Sequence, residues 1–124
     1  MLVASLGTPY EIRTADTILF IEDVATKPFQ LDRMLMQLRL AGKLDKVRGI
    51  VLGPMKDCAP LPDAGYALAD VLQHAAADMG IPVASGLNSG HVDSANQTLP
   101  LGVQASLMVE NDSAILKLLE GAVS

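Results

Sequence analysis

The chain has 124 residues, half of them hydrophobic, and its 14 acidic side chains against 9 basic ones give a formal net charge of −5. One domain is the default at this length, and it buries roughly two thirds of the surface that the unfolded chain exposes. The acidic balance and the scarcity of aromatic residues, with two Tyr, two Phe and no Trp, argue against nucleic acid and against an anionic membrane as partners. No apolar run reaches the roughly 18 residues of a membrane span. Cys58 is the single cysteine, so an internal disulfide is excluded and a reducing, cytoplasmic location is predicted.

The N-terminal third of the chain predicts a helix end, a strand and a helix. Apolar residues at 2, 3 and 6 before Gly7 and Pro9 are typical of the last turn of a helix. The β-branched and apolar run Thr17–Ile21 predicts a strand covered on both faces, ended by Glu22 and Asp23. An amphipathic helix should follow, beginning near Pro28 and stopping at Gly42. Its apolar positions, at helical spacing, are Leu31, Met34, Leu35 and Leu38.

The rest of the chain predicts a second strand and helix, a third strand and a hairpin. Val47–Leu52 is a buried strand closed by Gly53 and Pro54. Asp63 is the expected N-cap of the second helix, whose apolar face runs from Ala64 to Met79. The remaining predictions are a strand at Ile81–Ala84, a polar Gly-rich loop from Gly86 to Asn96, an alternating strand at Val103–Val109, and a last strand at Ala114–Leu119.

The predicted order of elements is β, α, β, α, β and then a β-hairpin. Helical crossovers usually join parallel strands, whereas a tight hairpin must be antiparallel. We therefore predict a single α/β domain over residues 1–124, with a mixed sheet and two main helices.

Two residues on functional-looking segments carry candidate chemistry. Glu22 lies at the carboxyl end of a buried strand, which is the edge of an open α/β sheet where ligands bind. His91 lies in the Gly-rich loop, where the backbone is free to present an imidazole for general acid–base work. Each also has an ordinary interpretation, because acids often solvate strand ends and loop histidines are mostly surface residues. A carboxylate and an imidazole are two of the three members of a catalytic triad, and the sequence offers no nucleophile as the third.

The other candidates carry weaker signals. Glu22 and Asp23 as a metal pair would point to opposite sides of an extended segment, so no metal or cofactor is expected. His74 falls off the apolar face of its helix and is expected to face solvent. Cys58 as a nucleophile with His91 as its base has no local support, and an isolated cysteine is usually a small buried hydrophobe. Gly-x-Ser-x-Gly, phosphate-loop and Cys-x-x-Cys motifs do not occur in the sequence.

Six ordered stretches, read together, resemble the C-terminal domain of the LD-carboxypeptidase (muramoyltetrapeptide carboxypeptidase) family of serine peptidases. They are SLGTPYE at Ser5–Glu11, ILFIEDV at Ile18–Val24, KPFQLDRMLMQLRLAGKL at Lys27–Leu44, GIVLG at Gly49–Gly53, GIPVASGLNSGH at Gly80–His91, and TLPLG at Thr98–Gly102. The resemblance covers nearly the whole chain in the right order, and it implies a swivelling β/β/α-like domain with a partly closed sheet.

The resemblance also implies roles for individual residues. The family's glutamate after the apolar strand matches Glu22, and the histidine of its Gly-His loop matches His91. These would complete a Ser-Glu-His triad whose serine lies on an N-terminal domain that is absent here. His91 would take the serine proton and Glu22 would orient the imidazole, whereas Asp23 would support the turn after the strand.

The implied substrate is cytoplasmic murein tetrapeptide, from which the family releases the terminal D-alanine in peptidoglycan recycling. Without its serine, the isolated chain is expected to be inactive. Two alternatives stay open: an immunity peptidase of the same family that acts on a peptide-nucleotide antibiotic, and a binding or oligomerising module without catalysis. The partners expected are the serine-bearing domain and the muropeptide. The high apolar content predicts self-association as well.

Overall fold

The computed structural model describes residues 2–122 and has the predicted α/β architecture. A short 3₁₀ turn at Val3–Ser5 precedes seven further elements. These are β1 (Ile18–Val24), α1 (Pro28–Leu40), β2 (Gly49–Lys56), α2 (Leu68–Ala76), β3 (Val83–Ser85), β4 (Ala105–Glu110) and β5 (Ser113–Leu118). No helix within residues 2–122 is long and apolar enough to cross a membrane.

The first three strands form a parallel sheet in the order β1-β2-β3. Ile18 pairs with Gly49, and Ile50 pairs with Val83. Parallel neighbours need crossover connections, which α1 and α2 supply. All three strands therefore end at the same edge of the sheet, and the loops that follow β1 and β3 meet there.

One face of this sheet carries the hydrophobic core. Leu19 and Ile21 of β1 and Ile50 and Leu52 of β2 point to this face because alternate residues of a strand share a side. Both helices cover it. The apolar stripe predicted for α1 contributes Leu31, Leu35 and Leu38, and α2 contributes Val71. The 3₁₀ turn packs on the same core through Leu2, Val3 and Leu6.

The closing hairpin is a separate antiparallel sheet of β4 and β5 and lies against the other face of the parallel sheet. A Cβ atom built on Gly49 would lie 2.9 Å from Leu107 Cδ2, so a bare glycine lets β4 approach β2 closely. The α/β class is thus confirmed. The strands nevertheless divide between two sheets, because the hairpin lies over the face of the parallel sheet and not along its edge, where strands pair.

Two predicted strand ends were placed too early. β1 does not stop at Glu22 and Asp23 but continues through both to Val24, with a register shift against β2 between Ile21 and Asp23. β2 likewise continues through Gly53 and Pro54 to Lys56. A proline is tolerated there because the shift in register leaves the ladder irregular at this point.

The predicted start of α2 was also wrong. Asp63 is not its N-cap, since this residue has a φ of +61° and belongs to a turn before the helix. α2 begins five residues later at Leu68, where the Ala67 N–H donates to Asp70 Oδ2 over 2.6 Å. The side chain that caps the helix comes from within its first turn, so a search for an Asp, Ser or Thr before the helix misplaces the start.

α2 also ends three residues before the predicted Met79, at Ala76, and the other boundaries shift by one or two residues. β3 is Val83–Ser85 and not Ile81–Ala84, β4 begins at Ala105 and not at Val103, and β5 is Ser113–Leu118. The Gly86–Asn96 segment contains no helix or strand, as predicted.

Candidate active site

Glu22 and His91 lie in direct contact, although 69 residues separate them in the sequence. His91 Nδ1 is 2.8 Å from Glu22 Oε2. A carboxylate can only accept, so Nδ1 carries the hydrogen and donates. The backbone N–H of His91 also points to the same oxygen, at 3.4 Å. The sequence-predicted pair is therefore a hydrogen-bonded dyad.

The irregular end of β1 positions Glu22. The register shift falls at this residue, so its side chain leaves the sheet where the ladder with β2 is interrupted. On β2, a Cβ atom on Gly53 would lie 3.0 Å from Glu22 Cβ and 2.7 Å from Phe20 Cζ. The missing side chain of Gly53 therefore leaves the space in which Glu22 lies, with 24% of its side chain exposed.

The glycine before His91 brings the loop onto Glu22. Gly90 has a φ of +112°, a region that residues with a Cβ rarely adopt. A Cβ atom there would lie 2.7 Å from Glu22 Oε2. Only glycine lets the loop backbone pass this close to the carboxylate, and His91 follows directly.

Two further contacts hold the same loop. The Asn96 side chain makes two hydrogen bonds to the backbone of Gly90. Lys56, at the end of β2, forms an ion pair with Asp93 with 2.5 Å between Nζ and Oδ1, and this contact raises the pKa of the lysine. The loop is thus tied to itself and to the end of the neighbouring strand.

The dyad has one side open. Glu22 occupies Nδ1, and no residue within 2–122 hydrogen-bonds Nε2 of His91. The His91 side chain is 56% exposed. It borders a shallow cavity of about 420 Å³ between the end of β2 and the loop. A larger cavity of about 520 Å³ lies between the two sheets and is lined by neither Glu22 nor His91. The geometry thus leaves Nε2 facing outward, without a hydrogen-bond partner within residues 2–122.

Comparison with known proteins shows the family of the chain. The profile of the LD-carboxypeptidase C-terminal domain matches residues 1–107. The chain belongs to this family. The resemblance seen in the sequence stretches is thereby confirmed.

Individual members of the family are similar over most of this chain. A Bacillus subtilis strain 168 protein named "Probable murein peptide carboxypeptidase" is 35% identical over 118 residues, which is 94% of this chain and 37% of that protein. A muramoyltetrapeptide carboxypeptidase structure from Oxalobacter formigenes is 35% identical with a TM-score of 0.83, covering 94% of this chain and 41% of that one.

A second group of structures is more distant. The microcin C7 self-immunity protein is 26% identical with a TM-score of 0.60, covering 70% of this chain and 26% of its own. The chain therefore spans about two fifths or less of the length of the relatives and structures that it matches. Both groups share the LD-carboxypeptidase C-terminal fold, and the murein carboxypeptidase match is closer in every measure.

The other candidate residues do not join the dyad. Asp23 accepts a hydrogen bond from the neighbouring Val24 N–H over 2.8 Å, which fits its expected local role. His74 is exposed on α2, as predicted. Among the residues that the structure describes, no three His, Cys, Asp or Glu side chains are placed to hold a metal ion.

Cys58 is a buried structural residue. It is 2% exposed, and its Sγ–H donates to the Lys56 carbonyl over 3.4 Å. Burial raises the pKa of the Cys58 thiol, which disfavours the reactive thiolate. It makes no hydrogen bond to His91 within the described part of the chain, and the prediction of a small buried hydrophobe is confirmed.

The burial of Cys58 gives a direct prediction. We expect a thiol reagent at neutral pH to label the native chain on the order of 100-fold more slowly than the urea-unfolded chain, since reaction needs local opening. The pKa of the Cys58 thiol is higher in the folded chain than in the unfolded chain. Burial of the neutral thiol therefore stabilises the fold at pH values below the unfolded-state pKa, and this stabilisation is lost as the pH rises through the folded-state pKa. Stability should therefore fall in alkaline solution. Equal labelling rates in the two states would contradict the buried placement.

Sequence patterns did not single out the residues that support the dyad. Gly53, Gly90 and Asn96 act through close approach and backbone hydrogen bonds. A Gly-His pair in a polar loop was the only sequence signal for any of them. The rest required knowing that β1 and the loop after β3 end at the same edge of the sheet.

Proposed function

We propose that this chain supplies the glutamate and histidine of a Ser-Glu-His triad in a serine-type LD-carboxypeptidase. The observation that carries the proposal is the 2.8 Å contact between Glu22 and His91, with Nε2 of the imidazole left open. Family membership supports it as well, because it rests on a match over residues 1–107 and not on the dyad alone.

The roles follow from the geometry of the pair. Glu22 holds the Nδ1–H tautomer of His91, so the lone pair on Nε2 is available as a general base. His91 takes the proton of an attacking serine and then delivers it to the leaving amine. The negative charge of Glu22 stabilises the imidazolium that exists between these two transfers.

The nucleophile is expected to come from another domain. No serine hydroxyl within residues 2–122 hydrogen-bonds His91. The chain also spans only 37% of the Bacillus subtilis relative and 41% of the Oxalobacter formigenes structure. A serine-bearing N-terminal domain would approach the exposed Nε2 from outside. The proposed substrate is murein tetrapeptide in the cytoplasm, and the proposed reaction releases its terminal D-alanine in peptidoglycan recycling.

Complementation tests the proposal. The chain alone should release no D-alanine from murein tetrapeptide, and adding a serine-bearing N-terminal domain of a family member should give measurable release. Release by this chain alone would contradict the division of the triad. Light scattering on the same samples tests the predicted self-association, and a monomer at high concentration would contradict it.

A second substrate class is kept because the microcin C7 self-immunity protein shares the fold, and one of its structures holds aspartyl sulfamoyl adenosine. The same mixture should be offered that compound beside the muropeptide. Faster cleavage of aspartyl sulfamoyl adenosine than of the muropeptide would favour the immunity activity. If this chain binds the serine-bearing domain but the mixture cleaves neither compound, the interpretation as a non-catalytic module would be favoured.

A further inference from the structure

We propose that Asn96 is a positioning residue that holds His91 in the orientation needed to contact Glu22. The Asn96 side chain hydrogen-bonds both backbone polar groups of Gly90. Nδ2 donates to the Gly90 carbonyl over 2.9 Å, and Oδ1 accepts from the Gly90 N–H over 3.2 Å. An amide side chain can bond the N–H and the C=O of one residue in this two-bond fashion because it carries one donor group and one acceptor.

One of the two peptide groups that Asn96 bonds, the Gly90–His91 peptide, sets the direction of His91. The Gly90 carbonyl also accepts from the Val92 N–H over 3.1 Å, which closes a three-residue turn centred on His91. Asn96 thus bonds the same carbonyl that closes the turn. On the other side, Gly90 packs against Glu22 at a distance that excludes a Cβ atom.

His91 does not lie in a helix or strand that would fix its position without Asn96. The whole of 86–104 is irregular, so no strand or helix hydrogen bonds hold the loop. The backbone of Gln97 donates to the Asn88 carbonyl over 2.7 Å, which closes the loop and places the neighbouring Asn96 over Gly90.

The ion pair at the end of β2, the other contact that holds the loop, is weaker. The Lys56 and Asp93 side chains are 37% and 83% exposed, and an exposed ion pair of this kind contributes little and is screened by salt. Asn96 is exposed as well, but its two hydrogen bonds act on Gly90 itself, the residue next to His91. It is therefore the side chain best placed to keep the imidazole on Glu22. The inference concerns the geometry of the dyad, and its catalytic importance rests on the proposed function.

The tautomer of His91 tests the inference in the 124-residue chain without substrate or partner. Imidazole ¹⁵N shifts at about pH 8.5, where an imidazole is ordinarily neutral, report how much Nδ1–H and Nε2–H is present. The native chain should show mainly Nδ1–H. Asn96→Ala should lower the ratio of Nδ1–H to Nε2–H by about two- to tenfold, which is the range expected for the loss of ordinary hydrogen bonds.

Two further variants make the result specific. Asn96→Asp keeps the acceptor for the Gly90 N–H but loses the donor, so its ratio should fall between those of the native chain and Asn96→Ala. Asn88→Ala is the matched control. Asn88 is an exposed asparagine in the same loop whose side chain makes no hydrogen bond within residues 2–122, and its backbone carbonyl survives the change. It should keep the native ratio.

The possible outcomes separate the two proposals. A native ratio in folded Asn96→Ala overturns the positioning role, whatever complementation shows. A lowered ratio together with failed complementation supports the positioning role and contradicts the catalytic one. When complementation works, Asn96→Ala should lower kcat and leave KM nearly unchanged, because its effect reaches the reaction only through His91.

Discussion

His91→Ala should lower kcat in the complemented enzyme by about 10⁶-fold, which is the order of loss when the histidine of a serine-hydrolase triad is removed. The physical reason is that Nε2 of His91 is the only base that the dyad presents outward. KM should change little, because the variant removes a proton acceptor and not a substrate contact. D-alanine release from murein tetrapeptide is the measurement.

His74→Ala is the matched control for this variant. It removes the other histidine of the chain, which is exposed on α2 and makes no contact with the dyad. Its activity should equal that of the native chain. If His91→Ala complemented as well as His74→Ala, the assignment of the general base would be wrong.

Glu22→Gln extends the same test to the second member. The amide keeps the size of the side chain but loses the charge that stabilises the imidazolium, and its NH₂ can donate to Nδ1 and so favour the other tautomer. A loss approaching 10⁴-fold is expected. Asp23→Asn alters the adjacent acid, whose side chain accepts a hydrogen bond from the next residue, and should keep most activity. Equal losses in the two variants would contradict a special role for Glu22.

Gly90→Ala should abolish the contact between Glu22 and His91 while leaving the chain folded. The new methyl group would lie 2.7 Å from Glu22 Oε2 and 2.9 Å from its Cγ and Cδ. The carboxylate is the flexible end of a side chain, so it should move aside. A displacement of about 1 Å in a catalytic group costs on the order of 100-fold in rate, and we expect at least that loss in complementation.

Gly86→Ala separates this clash from backbone strain. Gly86 has a φ of +91° in the same loop, but a Cβ atom there would meet nothing within 4 Å. Each variant should lose about 1–3 kcal/mol of unfolding free energy in urea because alanine is strained at positive φ. Only Gly90→Ala should lose activity and the Nδ1–H tautomer. Retained activity in Gly90→Ala would show that Glu22 does not need its present position.

The two sets of variants probe different properties of the same site. His91 and Glu22 supply the proton transfer, so their loss affects the rate without a large effect on folding. Gly90 and Gly53 supply space, because each lies where a Cβ atom would meet Glu22. A site built this way constrains its glycines as strictly as its charged residues.

Local sequence determined most of the elements. The spacing of Leu31, Leu35 and Leu38 predicts α1, since a 3.6-residue period needs no knowledge of the partner surface. Gly42, with a φ of +68°, follows the helix as predicted because glycine tolerates the left-handed region. Glu22 and His91 were both identified as candidates from the ends and loops on which they lie.

Tertiary structure decided what local patterns do not encode. The extension of β1 through Glu22 and Asp23 depends on pairing with β2, and a charged pair in isolation is more typical of a loop. The separation of the strands into two sheets depends on the path of residues 86–104. The contact of Glu22 with His91 joins residues 69 positions apart. Residue preferences act within a few positions of the chain, whereas this contact exists because parallel pairing places the ends of β1 and β3 at one edge of the sheet.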